Sequence, residues 1–522
     1  MLTPMRSSWA AGAGLLLLLA GCGCGGGGGS STPSVTGPPA NPVWTLGHYD
    51  PPATFAAHCA LPRSGVDPYL GTAYPDRAGS TVWENHWIRA WSQAYYLWYR
   101  ELPDLDPAAY STTAAYFKLL KTPAVTSAGT AKDHFHFTYS TATWESFVTS
   151  GVQLGYGATW AFLAVAPPRE LVVAYTEPNS PAANAGLLRG DSVLQIDGID
   201  LVHANDQPSI DRLNAALSPS SSGASHTFTV VDALGGNQRT VTLAAANVTS
   251  TPVQNVKTLT IPNGIVGYLT FNDHIQTAEG LFRSAVQQLA TAQVTDLVLD
   301  MRYNGGGLLS IASEVGYMIA GQAQTNGRTF ELIQFNDKYP NTDPLTGAAL
   351  APTPFYSSVN GSTLPSLNLS RVFVLTSNDT CSASESVING LRGVGVTVVQ
   401  IGSQTCGKPY GFYPEDNCGT TYFSIQFRGV NALGFGDYAD GFVPQNATAQ
   451  NGGVPLPGCA VADDFGHALG DPAEARLAAA LSYIQSGSCP SPSGLGAPGT
   501  VPMQAHVVKP VWLMNRILRR PR

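Results

Sequence analysis

Apolar positions along the chain change period three times, and each change marks a different kind of element. Between 81 and 120, Trp83, Trp87, Ile88, Trp91, Tyr95, Leu97 and Trp98 fall at helical spacing, and Ala114, Phe117, Leu119 and Leu120 resume it beyond a break at Pro103 to Pro107. That predicts two amphipathic helices with an aromatic face, which reads most simply as packing, with a partner-binding face as the alternative. Residues 132–139 alternate like a strand and put His134 and His136 on one side. From 151 the texture becomes short strands and turns: a strand at 171–176, a short helix at 180–186 closed by a glycine, and a strand at 190–198 ending in a turn. Further on, an apolar strand at 265–271, a helix at 277–290 and a second apolar strand at 296–302 form a βαβ unit, which implies a parallel sheet with a right-handed crossover. The run 371–377 is β-rich and apolar, and Val387, Ile388 and Leu391 then recur at helical spacing, so the segment around 378–384 is a tight strand-to-helix turn.

Length and composition fix the class. A chain of 522 residues with 44% hydrophobic and only 12% charged residues has the material for two or three cores, and 55 Gly with 38 Pro imply many turns. A net charge of −8 offers no basic surface for nucleic acid. At the N-terminus, Arg6 precedes the apolar run ending Leu-Leu-Leu-Leu-Leu19, and Leu-Ala-Gly-Cys22 closes it. The run is too short to span a bilayer and has the layout of an export signal. Its last four residues resemble the bacterial lipoprotein cleavage box, which implies a lipid on Cys22. A Gly/Ser/Pro stretch follows it as a tether. Of eight cysteines, Cys59, Cys381, Cys406, Cys418, Cys459 and Cys489 remain for the body, an even number that favours disulfides in an exported chain without selecting a pairing. Neither a Cys-x-x-Cys pair nor His-Glu-x-x-His is present, so no metal is expected.

Chemistry concentrates in three places. Asn304-Gly-Gly-Gly307 follows a strand; without a Gly-Lys-Ser/Thr it is a weak phosphate signal, and its other use is to aim bare N–H groups at one point. Ser382 and Ser384 fall at the strand-to-helix turn, where each is a candidate N-cap. The sharper reading of Ser382 is a nucleophile with backbone donors behind it. Lys408 lies in Gly-Lys-Pro-Tyr, and a buried lysine with a lowered pKa can deprotonate a serine.

Two resemblances bear on these pieces. Residues 151–250, with a small-residue helix, Gly190-Asp191 and Ile196-Asp-Gly198, resemble a PDZ domain, which implies capture of an extended peptide, with Leu154, Gly155, Tyr156 and Gly157 as the binding loop. The order of this domain, Leu-Asp300-Met-Arg302-Tyr-Asn-Gly-Gly-Gly, Ser382-Ala-Ser-Glu385 and Gly-Lys408 resembles the C-terminal processing, or tail-specific, serine peptidases (S41 type), from about residue 81 to Gln485. The resemblance implies Ser382 as nucleophile, Lys408 as general base, and backbone N–H groups of Ala383 and of Gly305 or Gly306 as oxyanion donors. Asp300, Arg302 and Glu385 become supporting residues. It further implies protein or peptide substrates, no cofactor, and an α/β multidomain fold whose catalytic domain is ClpP/crotonase-like. The resulting map is signal peptide 1–21, tether 22–42, N-terminal helical region 43–150, PDZ-like domain 151–250, catalytic domain 258–489 and a disordered basic tail 490–522, in a lipoprotein of the cell envelope and, by analogy from Gly23, of the outer membrane.

Two departures from the family pattern stand out. Phe412 occupies the position where the family places a glutamine that orients the lysine, leaving Gln426 or Tyr410 as substitutes, and Pro409 stands where glycine is usual. A branch using an N-terminal histidine would recruit His136. A catalytically inactive peptide-binding scaffold on the same fold is the alternative that Phe412 motivates.

Overall fold

The computed structural model describes residues 39–233, 235–447, 451–490, 505–508 and 516–517. The expected signal peptide, Cys22 and most of the expected tether lie outside these residues. Among the described residues no helix is long and apolar enough to cross a membrane.

The first predicted helix is α1 (Thr81–Tyr95), started by Ser80, whose side chain accepts the Trp83 N–H. Its buried face carries Trp87, Ile88 and Trp91, which pack with Phe117 and Tyr422, so the aromatic stripe is a core. The second helix is shorter than its pattern: α2 spans only Thr113–Phe117, and Leu119 is exposed. The strand expected at 132–139 is confined to β1 (Phe137–Ser140), because Asp133 and Phe135 are buried in the interior. Helix α3 (Thr141–Ser150) follows directly and closes on Gly151.

The next region is a β-rich layer. It comprises β2 (Val152–Gly155), β3 (Ala158–Ala164), β4 (Glu170–Thr176), α4 (Pro181–Asn184), β5 (Ser192–Ile196), α5 (Gln207–Leu217), β6 (Ser225–Val231), β7 (Gln238–Ala244) and β8 (Ala246–Thr249). The main sheet runs β7-β6-β5-β4-β3, while β2 pairs with β8. Trp160, Val173, Leu213, Phe228 and Leu243 form its own core.

The third region holds the predicted βαβ unit. Strand β9 (Val253–Ile261) pairs antiparallel with β10 (Gly264–Phe271), and α6 (Ala278–Thr291) returns the chain to β11 (Asp296–Asp300), parallel to β10 with Val266 opposite Asp296. After β12 (Gly307–Leu308) and α7 (Leu309–Ala320), β13 (Arg371–Thr376) joins parallel to β11. It is followed by α8 (Ala383–Gly393) and then β14 (Thr397–Gly402), again parallel. Beyond β15 (Tyr410–Gly411), β16 (Gly458–Ala460) completes the six-stranded sheet. Every residue of β11 and most of β10, β13 and β14 are buried, as a parallel sheet covered on both faces requires.

The closing helix α9 (Ala475–Ser486) has Glu474 as its N-cap, whose side chain accepts the Leu477 N–H. A short strand, Phe442–Pro444, precedes it. Two pieces of the segment expected to be disordered are strands: β17 (His506–Val508) and β18 (Arg516–Ile517). The cysteines pair as Cys59–Cys418, Cys381–Cys406 and Cys459–Cys489.

A buried ionic cluster joins these parts. Arg302 donates to Asp300 at 2.9 Å, to Asp463 at 2.7 Å and to both oxygens of Glu474, and Tyr268 donates to Asp300. Arg189, from the β-rich region, reaches the same Asp463 at 2.7 Å. Burial pushes the Asp463 carboxyl up, but Arg476, Arg189 and Arg302 together hold it well below the ordinary carboxylate range. Replacing Arg302 by Met removes one charge and strands Asp300 and Glu474 in the interior. The expected loss is roughly 3 to 5 kcal/mol of unfolding free energy, read from urea transitions.

Candidate active site

The turn between β13 and α8 is built around one carboxylate. Glu385, fully buried, accepts the Ser382 N–H at 2.9 Å and the Lys408 N–H at 2.8 Å on the same oxygen, Oε2. Its Oε1 accepts from Gly407 N–H at 2.9 Å and Thr405 Oγ at 2.6 Å. Burial pushes this carboxyl above its ordinary value, opposed by the donors that converge on it. The nucleophile turn and the lysine loop are thus fastened to a single side chain. They are fastened a second time by the Cys381–Cys406 disulfide, whose Cα atoms are 5.1 Å apart. Each cysteine lies within two residues of a candidate group.

Ser382 occupies the N-cap position of α8 at φ +61°, a sparsely populated backbone region for a residue with a Cβ. Its Oγ is buried and has no hydrogen-bond partner among the described residues. Ser384, the other candidate cap, donates its hydroxyl to the Asn304 carbonyl at 3.0 Å and so ties the helix start to the glycine turn. The Cys381 N–H donates to that carbonyl as well.

The glycine turn is locked from the opposite side by His274. Asn304 Oδ1 lies 3.1 Å from His274 Nδ1 and accepts the Gly306 N–H at 2.9 Å, while Asn304 Nδ2 donates to the Phe271 carbonyl. Burial brings His274 down to about 3, so it stays neutral. Gly307 has φ +136°, and a Cβ there would stand 2.4 Å from the His274 carbonyl oxygen. Only glycine fits this strand start.

Lys408 is fully buried. Its Nζ lies 4.6 Å from the Phe135 ring centre and 4.5 Å from that of Phe412. Burial brings the amine down to about 7, with Asp133 and Glu385 pulling the other way. The preceding Gly407 has φ +83°, and a Cβ would meet the Ala439 carbonyl oxygen at 2.3 Å. The chain therefore passes too close to its neighbour for any other residue to precede the lysine.

Two family models match this chain: Peptidase family S41 over residues 265–411, and the Peptidase S41 N-terminal domain over residues 84–139. The chain carries peptidase family S41 domains. It is 28% identical over 233 residues to the carboxyl-terminal-processing protease of Picosynechococcus sp., covering 44% of this chain and 49% of that protein. It is 30% identical over 165 residues to the chloroplastic C-terminal processing peptidase of Tetradesmus obliquus, covering 29% and 34%. The chain thus spans about half or less of the curated relatives' length. A crystal structure assigned to the S41 proteases, from Bacteroides fragilis, superposes with a TM-score of 0.59 at 24% identity, over 79% of this chain and 98% of that one.

Set on the S41 core, the expected residues separate into groups. Glu385 is the tie itself, whereas Asp300 and Arg302 belong to the ionic cluster behind the turn; the Arg302 carbonyl also accepts from Ser377 Oγ. Gly306 is corrected: its N–H is already given to Asn304, which leaves Gly305 as the candidate donor from the turn. The His136 side chain is buried, lies 3.0 Å from the Phe117 carbonyl and 3.5 Å from Asp133, and stacks on Phe117. Those contacts describe a packing histidine. Gln426 accepts the Tyr413 N–H and Tyr410 packs edge-on against Trp98, while Phe412, where the resemblance expects a glutamine, is one wall of the lysine pocket. Leu154 and Gly155 lie in β2, and Tyr156 is buried with its hydroxyl on the Ala216 carbonyl. With Gly157 they line a cleft of about 610 Å³ that Trp160, Leu217 and Asp273 also border. Sequence reasoning missed Phe135, His274, Asn304 as a side chain, Arg189, Asp463 and Glu474. The alternation of residues 132–139, which reads as a strand with His134 and His136 on one face, is the one available signal for Phe135.

Observing the Lys408 amine directly tests this geometry. A nitrogen-detected NMR titration of the lysine side chains should show one titrating near 7. In Phe412→Gln that value should rise by about one unit or more, because a polar wall lessens the desolvation of the charged form.

Proposed function

We propose that the chain is a serine endopeptidase in which Lys408 activates Ser382. The observation that carries this reading is the shared Glu385 oxygen, which accepts the backbone N–H of Ser382 at 2.9 Å and that of Lys408 at 2.8 Å. A neutral lysine amine takes the proton from Ser382 Oγ as that oxygen attacks the scissile carbonyl. The N–H groups of Ala383 and Gly305 receive the developing oxyanion. Lys408 then returns the proton to the leaving amine, and water, deprotonated by the same amine, releases the acyl group. No metal or organic cofactor takes part in these steps.

The substrates we propose are unfolded protein segments or peptides of the cell envelope, entering as extended strands. Residues 151–250 act as a PDZ-like capture domain that offers the edge of β3. The chain is proposed to be exported and held to a membrane by lipid on Cys22, following Leu-Ala-Gly-Cys. Three disulfides support an oxidising compartment. The scaffold alternative rested on Phe412, and that residue instead helps to lower the lysine's pKa.

A fluorophosphonate should label Ser382 in the wild type and fail to label Lys408→Ala, whose turnover of a disordered protein should drop roughly 10²- to 10⁴-fold. Fragment mass spectrometry with Ser382→Ala as control reads the cleavage itself. Intact peptide binding without label or fragments would overturn the assignment.

The pH profile has a defined sign. The active form is the neutral amine, so kcat/KM should climb with pH through about 7 and level off above it. At pH 6 it should stand roughly tenfold below the plateau. A flat profile between pH 6 and 9 would remove Lys408 from the base role.

Breaking the Cys381–Cys406 bond should reduce kcat more than it changes KM. Cys381→Ala/Cys406→Ala should lose roughly tenfold or more in kcat, the scale set by a small misplacement of reacting groups.

A further inference from the structure

Two pieces of chain beyond the closing helix sit on the edges that an extended substrate would need. Strand β17 adds antiparallel to β3, with His506 opposite Phe162, Val507 opposite Ala161 and Val508 opposite Trp160. It fills the side of β3 that faces away from β4. The register directs the chain toward the start of β3, where the 154–157 segment ends. Ala505 is buried and Val507 half-buried against Ala161, Val172, Tyr175 and Tyr303. Val508 borders the same cleft as Gly155, Tyr156 and Gly157.

The second piece, β18, pairs parallel with Gly307–Leu308, the strand that leaves the glycine turn. It also lies near Tyr410–Gly411, which begins two residues after Lys408. The strand is therefore close to two segments, one beginning two residues after the candidate oxyanion donor Gly305 and the other two residues after the candidate base Lys408. Strand addition to an open edge is the general way an extended peptide docks, and an edge already filled is closed to a second strand.

We infer that residues 505–508 and 516–517 are an intramolecular occupant of the peptide channel, so that the resting chain is self-blocked and an incoming peptide must displace them. The inference deepens the peptidase reading and rests on it for its rate measurement, but not for its binding measurement.

Three proteins test it: the full chain, a chain ending at Pro490 that keeps Cys489 for its bond to Cys459, and full-length Val507→Asp. The probe is a fluorescein-labelled synthetic peptide of residues 501–522, followed by anisotropy against Ser382→Ala forms. It should bind the shortened chain and bind the full chain roughly tenfold or more weakly, because the tethered segment competes at high effective concentration. Fluorophosphonate labelling of Ser382 should be about fivefold or more faster in the shortened chain and in Val507→Asp, and added unlabelled peptide should slow the shortened chain again. Absence of binding to the shortened chain would overturn the inference, and binding without any acceleration would overturn the block. If no form labels, the peptidase reading fails, and the anisotropy alone decides whether the segment is an occupant. Val507→Asp keeps the full length, so a shortened chain that does not fold leaves the measurement intact.

Discussion

One buried carboxylate holds the candidate site together. Glu385 gives both oxygens to two loops that are far apart in the chain, and the donors are three backbone amides and a hydroxyl. A carboxylate with no exposure has to be satisfied in full, since each unpaired lone pair would cost on the order of 1–3 kcal/mol or more. The loops therefore cannot drift apart without exposing that cost. The Cys381–Cys406 bond adds a covalent limit to the same separation. Strain at Ser382, with φ +61°, persists because this surrounding network over-determines the turn.

The lysine follows from the same constraint. Its backbone N–H is fixed by Glu385, and its side chain runs into a space walled by Phe135 and Phe412, where water cannot solvate a charge. Aromatic faces attract an ammonium group, and Asp133 and Glu385 favour it too, yet burial outweighs them and the amine falls to about 7. A polar glutamine would orient the amine by a hydrogen bond. Phe412 is instead an aromatic wall, and the exclusion of water around it shifts the amine's protonation.

What the sequence revealed and what it hid divide along contact order. The strand, turn and helix around Ser382 were legible because 371–377 is continuously apolar and Val387, Ile388 and Leu391 repeat at helical spacing. The βαβ unit was legible for the same reason. The positive φ of Ser382 was not, since no glycine flanks it to mark a sharp turn. The acidic partners of Arg302 come from positions 463 and 474 and its neighbour Arg189 from another region, and no local pattern announces such a meeting. Helix α2 stops at Phe117, so Leu119 and Leu120, which looked like its continuation, lie beyond its end. Phe135 drew no role because a period of two reports an alternation of faces but not which face meets a lysine brought from residue 408.

The ionic cluster also links the β-rich region to the candidate site. Arg189 donates to the Tyr303 hydroxyl at 2.8 Å and to Asp463, and Tyr303 immediately precedes Asn304, the residue whose side chain orders the glycine turn. Tyr175 of β4 stacks on Tyr303 at 6.0 Å. The layer that offers a strand edge is thus fastened to the residue next to the proposed oxyanion turn through buried, paired charges. Such contacts break at high cost and hold a defined geometry. A segment lying along β3 and then beside Gly307 meets two edges whose relative placement is set by that cluster.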